Sequence, residues 1–218
     1  MKTEMGESLV YSWLRHIERC QLTQTNWKTS PSWKLDNEAA IQELMTFSES
    51  EFLSVYGRNV FKGTTLMTQL LRQGEIDALG TRFGTDGTNQ VIAVDVAFHA
   101  GGLLYGRTKE DTALAVARKC LRATMCLAGY FPHATSGEII FASPKVTPAT
   151  LEGMIPAVEK ANLLISQFFP HLQARLIVNG AFRDEILLPV LEIGDTVADT
   201  SELFLRSYQM LDLFGLIK

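Results

Sequence analysis

The chain has 218 residues, 46% of them hydrophobic and 20% charged, which is the length and composition of one globular domain with a sizeable core and room for an insertion. Its net charge of −4 argues against a protein that coats nucleic acid by charge alone, while leaving room for a local basic groove. Cys20, Cys120 and Cys126 have no metal-type spacing and no even count, no apolar run would span a bilayer, and MKTEMGESLVYSW lacks the apolar centre of a signal peptide. The expected setting is therefore a reducing cytoplasm with no membrane partner and with the cysteines as buried free thiols.

In chain order, apolar residues at Met5, Leu9, Trp13, Leu14 and Ile17 predict an amphipathic helix over 4–20. CQLTQTNW is a short strand candidate, and TNWKTSP is loop chemistry. Residues 36–56 predict helix, capped by Asp36 or Asn37, and 64–72 a shorter helical piece. A β-hairpin follows, with arms over 75–83 and 90–99 around the Asp86-Gly87 turn. The glycine-rich HAGGLLYGRTKED then leads into a largely buried helix over 110–130. Strand 137–143, helix 147–169 opened by Thr147-Pro148, strand 174–179 and helix 200–214 complete the chain. Antiparallel strands first and βα alternation afterwards predict an α/β fold with a mixed central β-sheet flanked by helices. One domain, 1–218, is expected, with a helical insertion at 36–72 and a C-terminal α/β extension at 144–218.

The hairpin carries the chemistry. Side chains alternate along a strand, so Ile92, Val94, Val96 and Phe98 should face one core, with Asp95, Ala97 and His99 on the other side. On the first arm Glu75, Asp77 and Leu79 share a face, opposite Ile76 and Ala78. Asp77 and Asp95 can then lie side by side, where two carboxylates repel unless a proton or cation stands between them. Hard divalent cations such as Mg2+ or Mn2+ prefer such oxygen ligands.

An N-terminal helix with Glu7 in MGESLVYSWL, Asp77 in IDALG, and Asp95 in VIAVDVAFH, followed by helix and strand, resembles the PD-(D/E)XK, or restriction-endonuclease-like, nuclease superfamily. The resemblance spans residues 5 to about 143. It implies a restriction-endonuclease-like core and metal-dependent hydrolysis of phosphodiester bonds in DNA, in bacterial defence or DNA repair. It further implies a metal held by Glu7, Asp77, Asp95 and the Val96 carbonyl. The sequence departs from the motif at Ala97, where the superfamily carries its water-orienting lysine. Three residues can stand in: Lys119 from the following helix, His99 on the same strand face, and Lys145 after the next strand. WKTSPSW interleaves aromatic and basic residues, so Lys28, Trp33 and Lys34 are expected substrate contacts, and Lys145, after the GEIIFASP strand, is a further one.

Each residue also has a plainer role. Glu7 suits a helix N-terminus, Asp95 can pair with Lys119 or Arg118, and His99 can be structural. The competing class is a catalytically silent nuclease-fold subunit that binds DNA or protein. The apolar LFLRSYQMLDLFGLIK would dock there against a partner subunit or a second copy in a homodimer. HAGGLLYGR matches no dinucleotide or Walker pattern, and a small-molecule enzyme built on it is the third alternative.

Overall fold

The structure is a computed structural model that describes residues 4–197 and 200–217. The first three residues of the segment read for a signal peptide, and the terminal Lys218, lie outside the described residues. Five strands form one sheet in the order β1 (Leu22–Lys28), β2 (Glu75–Phe83), β3 (Asn89–Val96), β4 (Ser136–Ser143) and β5 (Leu172–Val178). The first three are antiparallel neighbours and the last three parallel. The change follows from the connections. The β2–β3 link is a tight turn with Gly87 at φ +83°, whereas β3–β4 and β4–β5 each cross over through a long helix. The α/β class with a mixed central sheet is as expected.

The crossover helices α4 (Lys109–Tyr130) and α5 (Pro148–Phe168), with α2 (Glu38–Tyr56) and α3 (Met67–Arg72), cover the front of the sheet. Leu44, Phe52, Leu70, Leu121 and Ile165 pack there against Leu79, Val91, Ala93 and Phe141. Behind the sheet lie α1 (Glu4–Ser12), α6 (Leu188–Glu192), α7 (Leu203–Leu213) and two π-helical segments, Trp13–Ile17 and Phe182–Leu187. These bury Leu9, Trp13, Ile186 and Leu205 against Ile92, Val94, Val96 and Ile140. Strands covered on both faces read as nearly continuous apolar runs, which is why VIAVDV and EIIFAS show little alternation. No helix among the described residues is long and apolar enough to cross a membrane.

Local chemistry explains most element ends. A capping box between Thr108 and Asp111 starts α4, and Thr147 caps α5 ahead of Pro148. Gly57, at φ +63°, ends α2. Asn37 stands at the α2 N-cap position but does not cap it, because its side chain instead donates to the Ala128 carbonyl at 2.9 Å. The three cysteines are free and buried.

Four expectations need correction. The first helix does not run on to residue 20: it turns π-helical at Trp13 and ends at Ile17. Phe98 is 51% exposed rather than in the core, because β3 stops at Val96. Ile76 joins the front core with Leu79 instead of lying opposite it. The cause is Asn26, whose left-handed backbone (φ +52°) interrupts the alternation of β1 next to Ile76 and turns Trp27 into the front core. Finally, residues 182–192, where the sequence predicts no element, form the second π-helical segment and α6.

Candidate active site

The β2–β3 ladder ends at the Ala78↔Val94 pair. One step further, the same register sets Asp77 opposite Asp95 on the front face. Asp77 Oδ2 accepts a hydrogen bond from the Val96 N–H at 2.7 Å, so a side chain takes over where the backbone ladder stops. Asp95, 6% exposed, accepts from Lys119 Nζ of α4 in a part-buried ion pair. The remaining oxygen of each carboxylate, Asp77 Oδ1 and Asp95 Oδ2, has no hydrogen-bond partner among the described residues.

The electrostatics follow from two acids sharing one cation. Burial pushes the Asp77 carboxyl up to about 7; the like charge of Asp95 adds to this and that of Glu7 contributes a little, while Lys119 and the Val96 N–H pull the other way. Burial works against the Lys119 ammonium, yet Asp95 and Asp77 more than offset it and hold its pKa above the usual lysine value. Lys119 is therefore a fixed cation and donor at neutral pH, not a base.

Position 97 explains why the lysine comes from α4. Ala97 is 3% exposed, donates to the Ala142 carbonyl at 2.9 Å, and packs in the front core. A lysine there would point into the apolar contact that Ala97 now fills. Lys119 reaches the same carboxylate from the helix above.

Glu7 approaches from behind. Gly6 allows it: a Cβ at that position would sit 3.1 Å from Val96 Cγ1, so α1 packs tightly on the end of β3. Glu7 is 6% exposed and accepts from Asn26 Nδ2 at 3.1 Å. It does not join the two aspartates: among the described residues no three His, Cys, Asp or Glu side chains form a metal-holding group. His99 is exposed, and its ring meets the edge of Tyr105 at 6.1 Å rather than either carboxylate. Lys145 Nζ donates to the Ala100 carbonyl at 2.9 Å and so braces the glycine-rich loop. Lys28 pairs with Glu75 at 3.0 Å and Lys34 with Asp36 at 3.6 Å, both on the surface. Trp33, 48% exposed, packs with Trp27 and Tyr130, whereas Trp13 and Trp27 are buried in the two cores.

Beside Lys119 opens a feature that the sequence reading missed. A cavity of about 610 Å³ is lined by Arg58, Lys62, Arg107, Arg118, Lys119 and Arg122, with Asp111 as the one acid. Arg58 pairs with Asp111, and Arg118 Nη1 donates to the Val60 carbonyl at 3.2 Å. Arg118 and Arg122 stand one turn apart on α4, and burial together with the neighbouring Arg122 lowers the Arg118 pKa. In sequence the signal was ARKCLR, three basic residues on one side of an otherwise apolar helix. Arg58 and Lys62 come from the turns that follow α2, which nothing local connects to α4.

Neither protein-family models nor curated proteins nor solved structures gave a match to this chain.

Proposed function

We propose that the chain is a metal-dependent nuclease that hydrolyses phosphodiester bonds in DNA, with the restriction-endonuclease-like arrangement that its sequence resembles. One observation carries this: two cross-strand carboxylates meet a half-buried lysine at the rim of a cation-lined cavity. The donor set suits Mg2+ or Mn2+, since each aspartate keeps an oxygen without a partner among the described residues and Mg2+ commonly binds through one or two carboxylates plus phosphate oxygens. Asp77 and Asp95 would hold the ion; when bound, it supplies an activated water and offsets charge on the scissile phosphate. Lys119, kept protonated by its acid neighbours, orients that water or a phosphate oxygen. Glu7 holds the Asn26 side chain and so shapes β1 next to Asp77. The arginines and lysines of the cavity draw the substrate backbone toward the carboxylates against the overall negative charge.

The test is incubation with single-stranded, duplex and branched DNA and with RNA, in Mg2+ and then Mn2+, beside Asp77→Asn. Metal-dependent cleavage of DNA that disappears in the variant is the expected result. Cleavage that persists in the variant would remove Asp77 from the site, and cleavage of RNA alone would change the substrate.

A second reading, a catalytically silent subunit, is favoured by the closed Lys119–Asp95 ion pair and by the exposed Leu213, Phe214 and Leu216 at the C-terminal end, 69–80% accessible. It predicts no cleavage of any substrate, with binding of a partner or a second copy unchanged in Asp77→Asn.

A further inference from the structure

The cavity in front of α4 holds more positive charge than the protein neutralises. Two of its six cations are paired, Arg58 with Asp111 and Lys119 with Asp95. Lys62, Arg107, Arg118 and Arg122 have no acid partner among the described residues. Arg122 Nε is buried with no hydrogen-bond partner among the described residues. Like charges one turn apart on a helix repel, and a buried guanidinium N–H without an acceptor carries a desolvation cost. Both are relieved by an anion in the cavity.

The size and charge narrow the class of anion. About 610 Å³ is far more than a phosphate needs and lies in the range of a nucleotide-sized ligand. Leu104, Leu114 and Tyr105 supply an apolar part of the wall beside the guanidiniums. A backbone phosphodiester brings a single charge, whereas a phosphate monoester carries about −1.5 to −2 near neutral pH and three acceptor oxygens. Four unpaired cations match the monoester better. The tight turn that carries Arg107 is fixed from below. Gly106 has φ +84°, and Asp111 Oδ2 accepts from the N–H groups of Arg107 and Thr108, each at 3.0 Å.

We propose that this cavity binds a nucleotide through a terminal phosphate group. That group can belong to the phosphorylated end of a nucleic-acid strand or to a free nucleotide. The strand-end source rests on the nuclease reading above, since Lys119 is shared by the cavity wall and the carboxylate pair.

Binding is measured without metal and in the Asp77→Asn background, so a failed cleavage assay leaves the outcome intact. One oligonucleotide sequence carries a 5′-phosphate, a 3′-phosphate or hydroxyl ends. ATP and inorganic phosphate are titrated separately against the melting temperature. A preference of about tenfold or more for one phosphorylated end, lost in Arg118→Gln/Arg122→Gln, assigns the cavity to strand ends. No end preference, but a melting temperature raised by ATP in the parent and not in the double variant, assigns it to free nucleotide. Lys62→Ala and Arg107→Ala alter exposed side chains and serve if the double variant does not fold; each should weaken the same preference about threefold. Equal binding of all ends with no shift from ATP or phosphate overturns the assignment. So does a preference that survives the substitutions.

Discussion

Behind the sheet, Glu202 at the start of α7 is 5% exposed and accepts hydrogen bonds from Ser12 Oγ and Arg15 Nη1, with His16 Nε2 at 3.0 Å. In front, Asp77 and Asp95 divide one lysine and one backbone N–H between them. Each group surrounds a buried carboxylate with polar atoms from distant elements, but the balance differs. Glu202 has both oxygens hydrogen-bonded and sits where α1 meets α7, so it acts as a tie. The aspartates have few donors, and burial, with the like charge of Asp95 added, pushes the Asp77 carboxyl up to about 7. A carboxylate with both oxygens bonded marks structure; an unmet need for positive charge marks a place for a ligand.

Exchanging charge for amide at the two places should separate them most sharply in activity. Asp77→Asn is expected to lower cleavage by about 10²–10³-fold or more, the scale of losing a group that organises charge at the reacting centre. Its melting temperature stays level or rises, since a like charge is removed. Glu202→Gln should leave the cleavage rate within about twofold, because Glu202 is no neighbour of the carboxylate pair. Equal loss of activity in both would dissolve the distinction.

Lys119 gives the next largest contrast. Lys119→Met leaves the buried Asp95 and the half-buried Asp77 without their cation and should cost about 3 kcal/mol at pH 8, a fall of roughly 6–12 °C in melting temperature. The loss shrinks at pH 5, where Asp77 takes up a proton. Lys119→Arg keeps the charge and should retain most of the stability. If Lys119→Met melts like the wild type at pH 8, the ion pair contributes nothing and the lysine is there for substrate alone.

On the other side, Glu202→Gln removes a charge from bonds to Ser12, Arg15 and His16 and should cost about 2 kcal/mol by chemical denaturation. Arg15 is half exposed, so the cost stays below that of Lys119→Met. A change under about 0.5 kcal/mol would mean that water substitutes fully for the carboxylate.

The hairpin was legible because its information is local. Period-two alternation and an Asp-Gly turn set the register that opposes Asp77 to Asp95. Lys119 was legible for a different reason: a lysine inside an apolar helix needs a partner, and Asp95 was the buried acid lacking one. What was hidden depends on contacts between distant segments or on single backbone angles. The left-handed Asn26 moves Trp27 and Ile76 to the front core without altering composition. Glu202 meets Ser12 across 190 residues. The cavity joins Arg58 and Lys62 to α4 only because α2 packs on the front of the sheet. The surface lysines Lys28 and Lys34 attracted notice by spacing, yet each has an acid nearby.

The smallest expected effect, and the one most specific to the aspartate pair, is on stability against pH in metal-free protein. The Asp77 carboxyl titrates near 7 when folded against an ordinary value of 3.8, so the folded state binds its proton more tightly than the unfolded state. Stability from this group is complete below the unfolded value and is lost as pH rises through the folded one. The wild-type melting temperature should therefore drift down by a few degrees between pH 5 and pH 8, and Asp77→Asn should flatten that drift. Glu202→Gln should leave the drift unchanged. Millimolar Mg2+ should raise the melting temperature more at pH 8 than at pH 5, because a cation between the carboxylates then does what the proton did. A drift of the same size in Asp77→Asn would show that another group carries it. An acid buried beside a second acid would then no longer be the feature that sets the front of the sheet apart from the back.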